Sequence, residues 1–393
     1  MKACPKVLMF CWEFPPAHSG GLGVASEGIV RGLLANNVDL ILVFPKKIEN
    51  INLPCRIIFA PGFAGLSPYP PYLRDEKTAG ADSLLERVKK FALFAGKVAA
   101  EEKFDLIHCH DWLTFSAGVN AKKISGKPLV VHTHALEFDR TGGIGRTESE
   151  VFFLEKEGLE KADKVIAVSN RTADKIIRFY GISPEKISIV YNAVDWEKRQ
   201  KYSLPSWGKI IKEGGGKIVL FLGRLTLQKG PDYFLRAAKR VLEFLPKTYF
   251  LIAGEGEMKN ALIEESFRFG IGNRIFFTGR VSLEEGNNLY HLADCYVMPS
   301  VSDPFGITAL EAQSAGTPVI LSRQTGASEI IHNVLEVDFW DVEKLAAKII
   351  AVLGYPALAG CLGKNGLTEA KTITWDNSAK QCLEVYKKIL KNN

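Results

Sequence analysis

Short apolar runs alternate with amphipathic stretches of helix length along this chain, and the alternation breaks once and then restarts. In the first half, apolar runs at residues 7–11, 40–44, 106–109, 129–132, 165–168 and 187–190 are interspersed with helix-length segments at 25–34, 84–102 and 171–180. A strand followed by a helix and another strand pairs in parallel, since a parallel return needs a crossover of roughly a dozen residues. The pattern predicts a doubly wound α/β unit. After Tyr191-Asn192-Ala193-Val194-Asp195 comes a charged, irregular stretch closed by Gly214-Gly215-Gly216, the expected seam. Strands then return at 218–222, 249–253, 275–277, 296–298 and 319–321, with helices at 233–244, 258–269, 284–292 and 308–315. At 393 residues the chain exceeds one comfortable core, so two Rossmann-like domains are expected. A last helix from residue 375 carries Leu383, Tyr386 and Leu390 at helical spacing and could pack on either.

Composition narrows the function classes. With 47% apolar and 24% charged residues the chain is an ordinary globular one, and a net charge of +6 comes without an arginine-rich run or aromatic-basic interleaving. Nucleic acid is therefore not an expected partner. Seven cysteines without a C-x-x-C pair argue for reduced thiols and a cytoplasmic setting. Met1-Lys2-Ala3-Cys4-Pro5-Lys6 leads directly into a strand, and no apolar run approaches the roughly 20 residues needed to span a bilayer. The segment 84–102 sets Arg87, Lys89, Lys90 and Lys97 among Leu85, Val88, Phe91 and Phe94. A core-packed helix with a solvated basic face is the plainer account, and it leaves peripheral contact with an anionic membrane open.

The densest chemistry lies in the strand, loop and helix from Met298 to Ala315. Pro299 to Gly306 hold turn residues, after which Thr308 is expected to cap a helix. Unpaired N–H groups and the positive dipole end at such a start suit a phosphate. Asp303 and Glu311 bracket that start; taken alone, the two would be a cap and a solvated helical glutamate. The strand at 218–222 delivers Arg224 and then Lys229 just before a helix, a fork and a point charge suited to a diphosphate. Gly254-Glu255-Gly256 and Thr278-Gly279-Arg280-Val281 end the next two strands and would share that rim. In the first half, Ser19-Gly20-Gly21-Leu22-Gly23 forms an expected glycine loop in which backbone can approach a phosphate. It nearly spells a dinucleotide fingerprint, but it comes ten residues after Cys11, and Ser26 stands where the third glycine belongs. His108, His110, His132 and His134 end two strands of one sheet. No metal is assigned to them, because no carboxylate or thiol cluster completes a shell.

Taken together, these motifs resemble the retaining nucleotide-sugar glycosyltransferases of the GT-B architecture, the broad glycosyltransferase family 4 that neighbours the glycogen and starch synthases. The resemblance runs from Trp12-Glu13-Phe14-Pro15-Pro16 and Gly23 through His110-Asp111-Trp112, His134-Ala135-Leu136-Glu137-Phe138 and Asn192-Ala193-Val194-Asp195 to Gly223-Arg224, Lys229-Gly230, Asp303-Pro304-Phe305-Gly306 and Leu310-Glu311-Ala312. It implies two facing Rossmann-like α/β domains, 1–195 joined by 376–393 and 196–375, with the C-terminal helix crossing back to the first. It also implies that Arg224 and Lys229 neutralise the departing diphosphate without a metal. Gly306, Ile307 and Thr308 would offer N–H groups to the distal phosphate, Glu311 would hold the ribose, and Arg280 with Val281 would flank the base. His134 would lie against the donor sugar, and Gly21 with Gly23 would close over the phosphates. The first acid of the family is usually glutamate, and here it is Asp303; bacterial glycogen synthases place a lysine where this chain has Ser19.

The expectation is a retaining hexosyltransferase taking a nucleotide-diphosphate sugar as substrate, with no cofactor, and a carbohydrate or glycolipid as acceptor. A catalytically weak nucleotide-sugar-binding or regulatory protein and a nucleotide-sugar epimerase on the same architecture are the alternatives.

Overall fold

The computed structural model describes residues 4–16, 20–61, 83–143 and 147–392, and the chain divides into two compact units. The first holds the described parts of 1–137, 146–193 and 375–393, and the second those of 138–145 and 194–374. The division differs from the expected one chiefly in 138–145, which group with the second unit. Met1 to Ala3 and Ser19, invoked above, lie outside the described residues.

The first unit is built on seven parallel strands: β1 (Lys6–Phe10), β2 (Asp39–Phe44), β3 (Arg56–Phe59), β4 (Leu106–His110), β5 (Leu129–Thr133), β6 (Lys164–Ala167) and β7 (Ile187–Ile189), in the order β3-β2-β1-β4-β5-β6-β7. Val7 to Phe10 and Leu40 to Phe44 are fully buried, the continuous apolar pattern of strands covered on both faces. The second unit has six parallel strands: β8 (Lys217–Leu222), β9 (Thr248–Ala253), β10 (Ile275–Gly279), β11 (Cys295–Met298), β12 (Val319–Ser322) and β13 (Leu335–Val337), in the order β10-β9-β8-β11-β12-β13. In each sheet the winding reverses once, between β1 and β4 and between β8 and β11. Loops leaving the carboxyl ends of such a strand pair diverge and open a crevice for ligands.

Several elements depart from the expected layout, among them the edge strand β13, for which no apolar run is read in the sequence. Strand β3 lies at a sheet edge and is only half-buried, so its apolar run is short. The helix Trp112–Ser125 buries Trp112, Leu113, Thr114, Phe115, Ala117, Gly118 and Ala121, nearly all round, and has no one-sided period to read. The helix Glu150–Lys161 starts at Ser149, whose side chain caps Phe152 N. In the stretch expected to be irregular, Ser206–Glu213 is helical although it buries only Gly208.

The C-terminal helix Trp375–Asn392 packs on the helix Gly21–Ala35 of the first unit. Its Cys382, Tyr386 and Ile389 join Val7, Met9, Ile29 and Leu33 in one core. The approach is close because Gly28 and Gly32 carry no side chain: a Cβ at Gly28 would fall 2.2 Å from the Trp375 ring, and one at Gly32 2.6 Å from the Trp375 carbonyl. Asn36 Nδ2 donates to Asp376 Oδ1 at 2.7 Å across the same contact. We expect Gly28→Val to push the two helices apart and to lower the unfolding free energy by about 1–3 kcal/mol, the usual cost of overpacking, read from urea midpoints.

Candidate functional site

The strand pair at the second unit's reversal supplies most of the expected site. β8 leads into Gly223 and Arg224, and the tight turn Leu227–Lys229 follows; β11 leads into a loop that ends at the helix Ile307–Ser314. Gln228, only 2% exposed, ties these loops together. Its carbonyl accepts from Val301 N at 2.9 Å, and its side-chain oxygen accepts from Arg224 Nη2 at 2.9 Å. Lys229 Nζ donates to Asp303 Oδ2 at 2.5 Å, while Asp303 Oδ1 accepts from Phe305 N at 3.2 Å. A bond to the backbone two residues on requires the carboxylate to sit close to its own main chain, which suits aspartate and not the longer glutamate.

The helix start differs from expectation. Its cap is Gly306, at φ 95°, and Ala309 N bonds to the Gly306 carbonyl at 3.0 Å. The Thr308 hydroxyl instead points to Met298 Sδ at 3.6 Å. The chain must turn through the left-handed region directly before Ile307, where glycine goes without strain. The N–H groups of Ile307 and Thr308 come before the first helical bond, that of Ala309 N, where the helix offers them no carbonyl, at the positive end of the dipole.

Glu311, 6% exposed, is held from two sides that sequence reasoning missed. Arg199 of the short helix Trp196–Arg199 forms an ion pair with Oε1, and the Tyr290 hydroxyl donates to Oε2 at 2.9 Å. Burial and the neighbouring Glu311 push the Tyr290 phenol well up, which keeps it a donor. Arg199 and Tyr290 carry no local motif: they lie 112 and 21 positions from Glu311.

Backbone bonds extend the rim. Leu225 N donates to the Glu255 carbonyl at 2.9 Å, and Gly254 N to that of Gly279 at 2.8 Å. Gly254 sits at φ 142°, and a Cβ there would fall 1.9 Å from the Gly223 carbonyl oxygen, so no other residue fits. Arg280, exposed, and Val281, half-buried, follow β10, two strands from β8. The structure thus gathers Arg224, Lys229, Asp303, Gly306, Ile307, Thr308 and Glu311 at the ends of β8 and β11, with Arg280 and Val281 further along.

Gly21, Gly23 and His134 belong to the first unit. Gly21 and Gly23 are not in a loop but in the first turn of the helix Gly21–Ala35, which starts four residues earlier than expected. Such a start requires no apolar period, and the glycines had masked it. His134 follows β5, and its side chain meets His110 Nδ1 through Nε2 at 2.9 Å. Asp111 Oδ1 accepts from His134 N at 3.0 Å and Ala135 N at 3.1 Å. Burial pushes the imidazoles of His108, His132 and His134 well down, and that of His110 to about 3, so all four are neutral.

Removing one partner of a buried pair leaves the other charge uncompensated. Arg199→Met should therefore cost the second unit about 3 kcal/mol, whereas Tyr290→Phe should cost about 1 kcal/mol. Urea unfolding of each variant measures both; equal, negligible losses would mean Glu311 is solvated.

The family profile described as Glycosyl transferases group 1 matches residues 206–368, and that described as Glycosyltransferase Family 4 matches residues 19–198. An uncharacterized glycosyltransferase of Methanocaldococcus jannaschii is 31% identical, over 97% of this chain and 98% of the relative. The glycogen synthase of Mycobacterium tuberculosis is 27% identical, over 90% and 87%. Among solved structures, the sucrose-phosphate synthase of Thermosynechococcus elongatus superposes with a TM-score of 0.79 at 23% identity, over 99% of this chain and 100% of the other. Anabaena HepE in complex with UDP-glucose does so with a TM-score of 0.71 at 19% identity, over 98% and 100%. The two parallel-sheet units are Rossmann-like units of the GT-B fold, and the chain belongs to the group 1 glycosyltransferases of glycosyltransferase family 4.

Proposed function

We propose that the protein is a retaining hexosyltransferase that moves a sugar from a nucleoside diphosphate to a carbohydrate or lipid-linked acceptor, with no cofactor and no divalent ion at the diphosphate. The reading is carried by Arg224 and Lys229, both at the end of β8, beside the loop that opens the helix Ile307–Ser314. As the bond from the sugar to the diphosphate breaks, positive charge grows on the sugar and negative charge on the departing oxygen. Preorganised donors aimed at that oxygen are worth about 3–4 kcal/mol each.

In this reading Arg224 grips the diphosphate through its fork and Lys229 as a point charge. The N–H groups of Ile307 and Thr308, after Gly306, bind the distal phosphate. Glu311, fixed by Arg199 and Tyr290, accepts from the ribose hydroxyls, and Arg280 with Val281 flanks the base. His134, neutral, donates to or accepts from the donor sugar, Asp303 sets the approach of Lys229, and Gly21 and Gly23 lend helix-start N–H groups to the phosphates. Support for a uridine donor comes from HepE, solved with UDP-glucose.

A cytoplasmic setting is part of the proposal. So is an acceptor presented at a membrane, for which the helix Leu84–Glu101 exposes Lys89, Leu93 and Lys97 while burying Val88, Phe91 and Val98. A second reading, a nucleotide-sugar-binding protein with weak catalysis, is favoured by the Lys229 to Asp303 pair, which occupies the phosphate lysine before any ligand arrives.

Three measurements separate these. The matching nucleotide among UDP, ADP and GDP should raise the melting temperature, since binding to the native state alone stabilises it. Binding without transfer or slow donor hydrolysis would favour the second reading. Arg224→Ala should lower turnover about 100- to 1,000-fold while costing about 1–3 kcal/mol of stability, because it leaves Gln228 Oε1 without that partner; unchanged turnover would place the diphosphate elsewhere. Transfer should run at full rate without added magnesium or manganese.

A further inference from the structure

Four histidines of the first unit form one buried cluster around the ends of β4 and β5. His108 and His110 share a face of β4, and His110 is in register with His132 of β5. Ring centroids lie 4.5 Å apart for His108 and His110, 5.3 Å for His110 and His132, and 4.3 Å for His132 and His134. His108, His110 and His132 are wholly buried, yet five ring nitrogens of the cluster have no hydrogen-bond partner among the described residues: His108 Nε2, His110 Nε2, both nitrogens of His132 and His134 Nδ1. A buried polar atom left unpaired costs about 1–3 kcal/mol, so a neutral stack that merely fills space would be an expensive way to build a core.

We propose that His108, His110 and His132 form a binding site for one zinc-class divalent cation inside the first unit. Among the described residues, these three can each direct a ligand atom to a group whose members lie within 4.8 Å of one another. Imidazole nitrogens suit zinc and its late first-row neighbours. A metal-binding histidine donates from its other ring nitrogen, and two of the three rings have a partner there. His108 Nδ1 meets the Tyr386 hydroxyl at 2.5 Å, and His110 Nδ1 meets His134 Nε2 at 2.9 Å, which leaves Nε2 of both rings for the ion. The rings of His108 and His132 are nearly parallel, at 11°. Converging on one ion therefore turns His132 about its Cβ–Cγ bond, and with neither nitrogen bonded it turns without breaking any hydrogen bond. Three protein nitrogens leave a fourth tetrahedral position for water.

This ion contacts no diphosphate, and its presence does not depend on the transferase reading. One consequence does rest on that reading. An ion on His110 Nε2 keeps the proton on Nδ1, which donates to His134 Nε2 and so fixes the proton of His134 on Nδ1. The site would set the tautomer of the histidine assigned to the donor sugar.

The test uses the full chain, stripped with a chelator, dialysed and titrated with Zn²⁺ alone, without nucleotide or sugar. We expect one zinc per chain and a higher melting temperature on loading. His132→Gln should abolish saturable uptake. Tyr386→Phe, which keeps the ring and removes the partner of His108, should weaken binding about 10-fold or more. Co²⁺ should give tetrahedral ligand-field bands without thiolate charge transfer. No saturable uptake by the wild type, uptake unchanged in both variants, or a thiolate band pointing to cysteine would each overturn the proposal, and the unpartnered nitrogens would then be bridged by water. Should His132→Gln fail to fold by circular dichroism, Tyr386→Phe decides.

Discussion

Gln228 is the buried amide on which the second unit's loops depend. Its carbonyl and side chain bond to the loop after β11 and to Arg224, at the place where neighbouring strands send their loops apart. A polar network in the low-dielectric interior is stiff when all its members are paired and costly when they are not. The bonds of Gln228 therefore do more than anchor one arginine. They set the distance between the end of β8 and the helix that begins at Ile307, and so decide whether cations and helix-start N–H groups can act on the same anion. Gly230 packs under this junction: a Cβ there would fall 2.3 Å from the Pro299 carbonyl.

Charge is balanced locally around that junction. Asp303 and Glu311 are 4% and 6% exposed, and each has a cation beside it, Lys229 and Arg199. A bare carboxylate at either position would cost several kcal/mol in lost hydration and would repel a diphosphate. The pairings differ in what they leave for a ligand. Arg199 and Tyr290 engage one oxygen each of Glu311 and fix its orientation, whereas Lys229 holds Asp303 by a single contact, with 22% of the lysine side chain exposed. In the proposed function an arriving phosphate shares that lysine through its exposed part, so the ion pair with Asp303 is compatible with the proposed anion site.

How much of this could be read from the sequence follows from the range of the interactions. Strands covered on both faces announce themselves as apolar runs, and glycines and charges after β8 and β11 mark loops at carboxyl ends, so the two α/β units and the positions of Arg224, Lys229 and Glu311 were legible. Elements whose environment is set by distant partners were not. The helix Trp112–Ser125 is buried nearly all round and shows no period, and the helix Ser206–Glu213 exposes Trp207 and Ile210 and looked irregular. Arg199 lies within the charged stretch taken as a seam, and only the folded chain brings it to Glu311. Thr308 was a reasonable cap by residue type, but the left-handed turn at Gly306 takes that role because the loop must reverse there.

In the first unit, the placement of His134 comes from β4 and not from the strand that precedes it. Asp111 adopts φ 65° and ψ 168°, a region that is essentially glycine's own and costs a non-glycine residue about 1–3 kcal/mol. The strain is offset by what the conformation allows: the Asp111 carboxylate receives both His134 N and Ala135 N, two charge-assisted bonds. One residue earlier, His110 bonds to the His134 ring. Backbone and side chain of His134 are thus fixed by two consecutive residues of β4 and its end, so neither can move unless Asp111 relaxes. A relaxed Asp111 would release both N–H groups into a site where His134 is 9% exposed and water is scarce. The strained conformation persists because leaving it would cost more.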